Sequence, residues 1–148
     1  MKPEYNPDLF YDWFELPVRF RDLDPLNHVN NANFSTYYEE ARIHFIQQVP
    51  SLAKAMHNNH SFVLVSIHID FIKQISFPNT MLIGSGIWEF GNTSVTSFQA
   101  IYRKKDKALC STAKATGVWY DVKKRRPTRL PKIEGIEEIM VNKTENNG

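Results

Sequence analysis

Residues 21–31 of the chain read Arg21-Asp22-Leu23-Asp24-Pro25-Leu26-Asn27-His28-Val29-Asn30-Asn31. Two acids and a histidine fall within seven residues of this turn-rich segment, which opens directly into a helical pattern. A carboxylate held beside a helix N-terminus brings a base together with backbone N–H groups that lack intrahelical acceptors. Those are the two components needed to attack a carbonyl carbon and to stabilise the oxyanion that forms.

The segment that follows predicts one long amphipathic helix. From Ala32 onward the apolar and aromatic positions keep a helical period, at Phe34, Tyr37, Tyr38, Ala41, Phe45 and Val49. Asn30 or Asn31 is the predicted N-cap, and Pro50 is the predicted stop. Glu39 with Arg42, and Glu40 with His44, have the spacing of neighbours on a helix and are expected to pair. A second, shorter helix is predicted around residues 51–57.

The rest of the chain predicts strands. One strand is expected before the loop, from Trp13 to Phe20, and four more after the helices. The first of these four has apolar residues at the odd positions from Val63 to Phe71 and polar residues between them, which is typical of a half-buried strand. The others are expected at residues 81–90, with a bend or bulge at Gly84 and Gly86, and at residues 94–102 and 108–120. A charged, partly flexible tail is expected over residues 122–148 of a single domain.

The loop and helix together carry a family resemblance. The pattern Asp-x-Asp-x-x-x-His-Val-Asn-Asn, followed by Tyr-Tyr-Glu-x-Ala-Arg, resembles the signature of the 4-hydroxybenzoyl-CoA thioesterase family of hotdog-fold acyl thioesterases. The resemblance implies an α+β fold in which a curved antiparallel sheet wraps around one long central helix. It also implies hydrolysis of an acyl-CoA thioester to a free carboxylic acid and coenzyme A, and assembly as a homodimer or homotetramer.

The resemblance assigns roles to individual residues. Asp24 matches the family's catalytic aspartate, which acts as nucleophile or as general base on the hydrolytic water. His28 matches the motif histidine, expected to assist by orienting the carbonyl, holding the water or hydrogen-bonding the acid. Plant acyl-ACP thioesterases carry Asn two residues after the aspartate, whereas this chain has Leu26.

Further residues are predicted around this pair. The N–H groups of Val29, Asn30 and Asn31 are the candidates for the oxyanion hole, because the first N–H groups of a helix lack intrahelical acceptors. Asp22 is interpreted as a residue that shapes the loop. Glu39, at the Glu-x-Ala-Arg position, is a candidate substrate-binding residue or a partner of Arg42.

Composition excludes several other classes of protein. The chain has 148 residues with 42% hydrophobic and 23% charged side chains, which is typical of one folded domain. The net charge of +2, from 18 basic and 16 acidic side chains, is too balanced to indicate a nucleic-acid partner. The single cysteine, Cys110, cannot form an intrachain disulfide or a CxxC metal site. The histidines are spaced too loosely for a metal site, and Walker and dinucleotide glycine loops are absent, so no metal and no cofactor are expected. No apolar run has the length of a signal peptide or a membrane span, which predicts a cytoplasmic protein without a membrane partner.

Two alternative functions stay open, and a third matches the sequence poorly. An acyl-ACP thioesterase would use the same chemistry on a protein carrier, and a non-catalytic hotdog protein would bind an acyl thioester without turnover. A hotdog enoyl-CoA hydratase has five residues from acid to histidine in its motif, whereas Asp22 to His28 spans six, so this match is poor.

Two basic clusters, at residues 103–107 and 123–129, are either solvated turns or contacts for the phosphates of coenzyme A.

Overall fold

The structure, a computed structural model, describes residues 2–141. Its elements, in chain order, are β1 (Asp12–Pro17), α1 (Phe34–Gln47), α2 (Pro50–Met56), β2 (His60–Phe71), β3 (Thr80–Phe90), β4 (Ser94–Arg103), β5 (Leu109–Asp121) and β6 (Arg126–Pro127). Two short 3-10 turns, Phe20–Asp22 and Asn31–Asn33, flank the loop between β1 and α1. No helix among the described residues is both long enough and apolar enough to cross a membrane.

One antiparallel sheet forms the body of the molecule. Its strand order is β1-β3-β4-β5-β2, and the two-residue β6 pairs with the end of β5. The helix α1 lies against one face of this sheet, where Tyr38 and Ala41 are fully buried and belong to one core cluster with Met81, Ile83 and Ile101. A long helix against one face of a single antiparallel sheet confirms the predicted α+β hotdog fold.

The opposite face of the sheet is covered by residues that precede β1 and by Val141. Leu9 and Phe10, before β1, pack there with Leu82, Phe98 and Tyr102, and Val141 joins the same cluster. A Cβ atom at Gly84 would come within 2.2 Å of the Phe10 ring, so this close packing requires a glycine.

The helix boundaries differ from the prediction. The segment begins with the 3-10 turn Asn31–Asn33, and the Asn30 side chain caps this turn by accepting a hydrogen bond from the N–H of Ala32. The α-helix α1 starts only at Phe34 and ends at Gln47. Pro50 does not end α1 but begins α2, because its fixed φ and missing N–H suit the first turn of a helix.

The strands after the helices occur where they are expected, with two differences. The predicted half-buried strand is β2, at the edge of the sheet, and its odd-numbered residues Val63, Val65 and Phe71 are exposed. Only Ile67 and Ile69 of that set are partly buried. The bulge expected at Gly84 and Gly86 lies a few residues later, between Ile87 and Glu89.

The first strand and the tail also differ in detail from the prediction. The strand β1 ends at Pro17, before the predicted Phe20, and the chain then turns. In the tail, Ile133, Ile139 and Val141 are buried in the core. Ile87 donates its N–H to the carbonyl of Ile139 and accepts from the N–H of Val141. The tail therefore contributes to the fold as far as residue 141, and residues 142–148 lie outside the described part.

Candidate active site

The loop that carries Asp24 and His28 is a closed hairpin-like turn. Leu23 and Val29 form an isolated antiparallel bridge at its base, and the N–H of Asp24 donates to the carbonyl of His28 at 2.8 Å. Asn27 has a φ of 63°, a left-handed conformation that asparagine tolerates better than most residues. These local contacts fix the backbone on both sides of the two candidate residues.

The Asp24 carboxylate is held by its own loop. Its Oδ1 accepts hydrogen bonds from the N–H groups of Leu26, at 2.9 Å, and His28, at 3.1 Å. Within residues 2–141, Oδ2 accepts no hydrogen bond, and the residue is half-buried. One oxygen thus fixes the orientation of the carboxylate while the other is available to a water molecule or a carbonyl carbon.

His28 lies beside Asp24 through its main chain. Its N–H donates to the carboxylate, and its carbonyl accepts from the N–H of Asp24. The imidazole is half-buried and forms no hydrogen bond with Asp24 within the part of the chain that the structure describes. A direct role of the ring in catalysis stays a prediction.

The backbone N–H groups proposed for the oxyanion hole are not equally available. The N–H of Val29 donates to the carbonyl of Ile75 at 2.8 Å, and that of Asn30 donates to the carbonyl of Asp22 at 2.9 Å. Both N–H groups are occupied in this structure, and using them for an oxyanion would require breaking hydrogen bonds that hold the loop. The N–H of Asn31 has no acceptor among the described residues, and it precedes α1 in the same helical segment.

Asp22 anchors the loop, as the sequence interpretation expects. Its carboxylate is 3% exposed and receives two hydrogen bonds from Arg19, at 2.9 and 3.0 Å, and one from the Tyr37 hydroxyl, at 2.6 Å. Its carbonyl accepts from the Asn33 side chain as well as from Asn30. Burial alone would raise the pKa of Asp22, but the hydrogen bonds from Arg19 and Tyr37 outweigh burial and hold the pKa below its usual value.

A cavity of about 420 Å³ opens between α1 and the concave face of the sheet. Its walls are mainly apolar and come from α1, α2 and four strands; they include Ile43, Ile46, Leu52, Phe62, Ile87 and Ala115. Glu39, which is exposed, and Arg42 line it from the helix. The volume and the apolar lining are typical of pockets that bind small organic ligands.

Arg42 is paired differently from the prediction. Its guanidinium donates to Oε1 of Gln99 at 3.2 Å, and the structure shows no ion pair between Arg42 and Glu39 among the described residues. Burial lowers the pKa of Arg42, and the negative charge of nearby Glu39 opposes that effect. The second predicted helix pair is also wrong, because His44 bonds to Asp12 of β1 at 2.7 Å rather than to Glu40.

Sequence reasoning missed Gln99. This side chain is fully buried in β4 and donates to the carbonyl of Tyr38 at 3.1 Å and to the Ser85 hydroxyl at 2.9 Å. Gln99 therefore connects α1 to the strands β3 and β4 beside Arg42. The available signal was a glutamine between apolar residues in a strand, and that pattern alone does not reveal a helix contact.

Metal coordination has no support in the described residues. No group of three or more His, Cys, Asp and Glu side chains there is close enough to hold a metal ion.

Comparison with known proteins gives three concordant findings. The model of the thioesterase-like superfamily matches residues 18–140. The long-chain acyl-CoA thioesterase FadM of Escherichia coli strain K12 is 27% identical over 116 residues, which cover 78% of this chain and 88% of FadM. A thioesterase from Thermus thermophilus, solved in complex with coenzyme A and Zn, is 30% identical; the match covers 86% of this chain and 94% of that one, with a TM-score of 0.70.

A fourth likeness concerns the fold alone. The PA5185 protein from Pseudomonas aeruginosa is 18% identical, with a TM-score of 0.82 over 95% of this chain and 99% of that chain.

Proposed function

Because the chain belongs to the thioesterase-like superfamily, we propose that it is an acyl-CoA thioesterase whose reacting carboxylate is Asp24. One observation carries the proposal: a fixed, half-buried carboxylate with one free oxygen lies on the loop that enters α1. The likeness to FadM supports an acyl-CoA as the substrate.

Asp24 supports hydrolysis by either of two routes. As a general base, it removes a proton from water while the water oxygen attacks the thioester carbon; the tetrahedral oxyanion then collapses and coenzyme A leaves as the thiol. As a nucleophile, it forms a mixed anhydride with the acyl group and releases coenzyme A, and water then hydrolyses the anhydride. Both routes require an ionised Asp24. The N–H of Asn31 is the proposed donor to the oxyanion, and His28 is the proposed assisting residue.

We assign the cavity of about 420 Å³ to the acyl chain. Its apolar walls favour a hydrocarbon tail, because each methylene removed from water contributes roughly 0.8 kcal/mol. The cavity lies toward the C-terminal half of α1, where Ile43 and Ile46 contribute to its wall, whereas Asp24 lies before its N-terminus. The likeness to the long-chain acyl-CoA thioesterase FadM supports a long acyl chain as the occupant.

Narrowing the cavity is expected to change chain-length preference. Ala115 is buried in β5 and lines the cavity, so Ala115→Leu fills part of it. The ratio of kcat/KM for a long-chain over a short-chain acyl-CoA is expected to fall by about tenfold or more, since a single methylene in an apolar pocket is worth roughly 1–3 kcal/mol. The short-chain substrate serves as the internal control. An unchanged ratio in a folded variant would contradict the assignment of the cavity.

The free edge of β2 supports assembly as a homodimer. This strand ends the sheet order and exposes Val63, Leu64, Val65 and Phe71, at 44–58% of their surface. A long apolar edge with unpaired backbone groups invites pairing with another strand. We propose that two copies join their β2 strands around a two-fold axis, because the same surface then serves both subunits.

Such pairing would complete the site. The start of β2 lies at the cavity, which Phe62 and Leu64 line, and its end lies near the Asp24 loop, since Phe71 stacks edge-on against Phe34 at 5.1 Å. Antiparallel pairing places the end of one strand beside the start of its copy. In this arrangement the Asp24 loop of each subunit approaches the cavity of the other.

Placing a charge on the edge is expected to separate the subunits. Val65, at the irregular position of β2, is 58% exposed, and Val65→Lys should give a monomer by light scattering because lysine on an edge strand opposes pairing. Val122→Lys is the matched control: Val122 is 54% exposed but lies outside β2, after β5. A dimeric Val65→Lys variant, or a monomeric Val122→Lys variant, would refute this interface.

The proposed activity is tested by following thiol release from a panel of thioesters. The panel contains short-, medium- and long-chain acyl-CoAs, an aromatic acyl-CoA and a long-chain acyl-ACP. We expect hydrolysis of acyl-CoA with the highest kcat/KM for long chains. Faster hydrolysis of acyl-ACP than of acyl-CoA would favour the protein-carrier alternative, and binding without release of thiol would favour a non-catalytic acyl-thioester protein.

A further inference from the structure

An open cleft of about 740 Å³ lies on the surface beside the Asp24 loop. Its walls are the end of β1 at Pro17 and Val18, the segment Phe77 to Thr80, and the turn between β4 and β5 that carries Lys104, Lys105 and Lys107. The reaction chemistry described above does not use this cleft.

The cleft is joined to the Asp24 loop by backbone contacts. His28 and Ser76 form an antiparallel bridge, and Val29 donates to the carbonyl of Ile75. The guanidinium of Arg103, at the start of the β4–β5 turn, donates to the carbonyl of Gln74 at 3.1 Å. The segment 74–77 therefore contacts the candidate catalytic loop on one side and the basic turn on the other.

The β4–β5 turn carries positive charge that local acids only partly neutralise. Arg103 pairs with Asp106 at 2.9 Å, and Lys104 pairs with Glu15 at 3.1 Å. Lys105 and Lys107 add two further cations, so four cations face two acids and leave a net charge of +2 at the rim. A multiply charged anion is the ligand that such a rim attracts.

The opposite wall offers aromatic surface and an unpaired donor. Phe77 lines the cleft and packs edge-on against Phe20, with ring centroids 5.7 Å apart. Phe20 is 75% exposed, which is unusual for a large aromatic side chain. Asn79 also lines the cleft, and its buried Nδ2 has no acceptor among the described residues.

We propose that this cleft binds the 3′-phosphorylated ADP end of coenzyme A. The phosphates face Lys104, Lys105 and Lys107, and the adenine stacks against Phe77 and Phe20, because cations and aromatic faces are what these two parts of the nucleotide require. The pantetheine arm has the length of about four to five extended residues, roughly 15 Å. The segment 74–77 leads from the cleft to the Asp24 loop, and the arm is expected to follow it. The assignment rests on the proposed thioesterase function, and it adds the residues that recognise coenzyme A as the carrier of the acyl group.

The second basic cluster is a poor candidate for the same role. Lys123, Lys124, Arg125 and Arg126 follow β5, whereas the β4–β5 turn precedes it. A strand of 13 residues separates the two ends by roughly 40 Å. Lys123 and Lys124 are exposed, carry the same charge and lie far from the Asp24 loop. They therefore provide a matched control.

The test compares Lys104→Ala/Lys105→Ala with Lys123→Ala/Lys124→Ala and the wild type. For each protein, KM and kcat are measured with an acyl-CoA and with the same acyl group on pantetheine, which lacks the nucleotide. We expect the first variant to raise KM for acyl-CoA about tenfold at low salt, with kcat and all pantetheine-thioester parameters unchanged. The control variant should match the wild type on both substrates.

Binding of adenosine 3′,5′-bisphosphate, measured by calorimetry, gives a readout that does not depend on turnover. We expect binding to the wild type and to the control variant, and at least tenfold weaker binding to Lys104→Ala/Lys105→Ala. Equal binding by all three proteins, or an equal change of KM on both thioesters, would overturn the assignment.

The two proposals fail in different ways. If the wild type hydrolyses neither thioester, the proposed function is wrong, and the calorimetry still decides whether the cleft binds the nucleotide. If it hydrolyses both with the same KM and does not bind the bisphosphate, only the cleft assignment is wrong.

Discussion

Asp24→Asn is expected to lower kcat for acyl-CoA hydrolysis by about 10²–10⁴-fold, the range typical of losing an acid–base group. The carboxamide cannot remove a proton from water and is a poor nucleophile towards a thioester. Its Oδ1 can still accept the hydrogen bonds from the N–H groups of Leu26 and His28, so the loop is expected to keep its shape. The measurement is steady-state thiol release at saturating substrate, with the melting temperature as the test of folding.

Asp8→Asn is the matched control for this substitution. Asp8 is an exposed acid in the N-terminal segment, and its loss removes the same charge without touching the loop. It should leave kcat unchanged. An Asp24→Asn protein as fast as the wild type would remove Asp24 from the chemistry, whereas a variant that also loses thermal stability would mean that the loop depends on the charge.

Asp22→Ala is expected to destabilise the protein by about 3 kcal/mol, because the substitution leaves the buried Tyr37 hydroxyl without an acceptor and removes the partner of Arg19. The carbonyl of Asp22 also accepts hydrogen bonds from Asn30 and Asn33. Without the anchored carboxylate this part of the main chain is expected to move, which would loosen the loop that holds Asp24. The free energy of unfolding is measured in urea.

The chain contains a matched pair for this experiment. Arg103 and Asp106 have the same spacing and the same 2.9 Å contact as Arg19 and Asp22, but Asp106 is 44% exposed rather than 3%. Exposed ion pairs contribute at most about 1 kcal/mol, so Asp106→Ala should have a small effect. Equal losses of stability in the two variants would contradict the anchoring role of Asp22.

The hydrogen bonds that Asp22 accepts also predict how the stability of the protein depends on pH. The pKa of Asp22 is lower in the folded protein than its ordinary value of 3.8. The stabilisation is therefore complete at pH values above the unfolded pKa and is lost as the pH falls through the folded pKa. Asp22→Ala should show a smaller loss of stability than the wild type between neutral pH and the acid range.

The local part of this structure was predictable from sequence. The helix, the turn-rich loop and the strand positions depend on periodicity and on residues such as Asn30 and Asn27, whose effects extend over a few positions. The motif around Asp24 and His28 predicted the hotdog fold because its spacing matches a known signature. The interpretation of Asp22 as a loop-shaping residue is confirmed by its bonds to Arg19 and Tyr37.

The remaining features depend on contacts between distant segments. The N–H of Val29 is occupied because segment 72–76 returns to the loop, and no local pattern specifies that pairing. Alternation in β2 correctly predicted a strand but not that Val63, Val65 and Phe71 are exposed, since the same pattern fits a central strand and an edge strand. Gln99 and Arg42 meet across 57 positions of sequence, and neither residue type predicts the other.

The most direct test of the central claim is the product balance of a multiple-turnover reaction. Purified protein, in catalytic amount, is incubated with a long-chain acyl-CoA, and the free thiol and the free carboxylic acid are both quantified. We expect one thiol and one acid per substrate consumed, over many turnovers, and almost none of either with Asp24→Asn. Tight binding of the acyl-CoA by the wild type without formation of either product would contradict the assignment of this protein as a thioesterase.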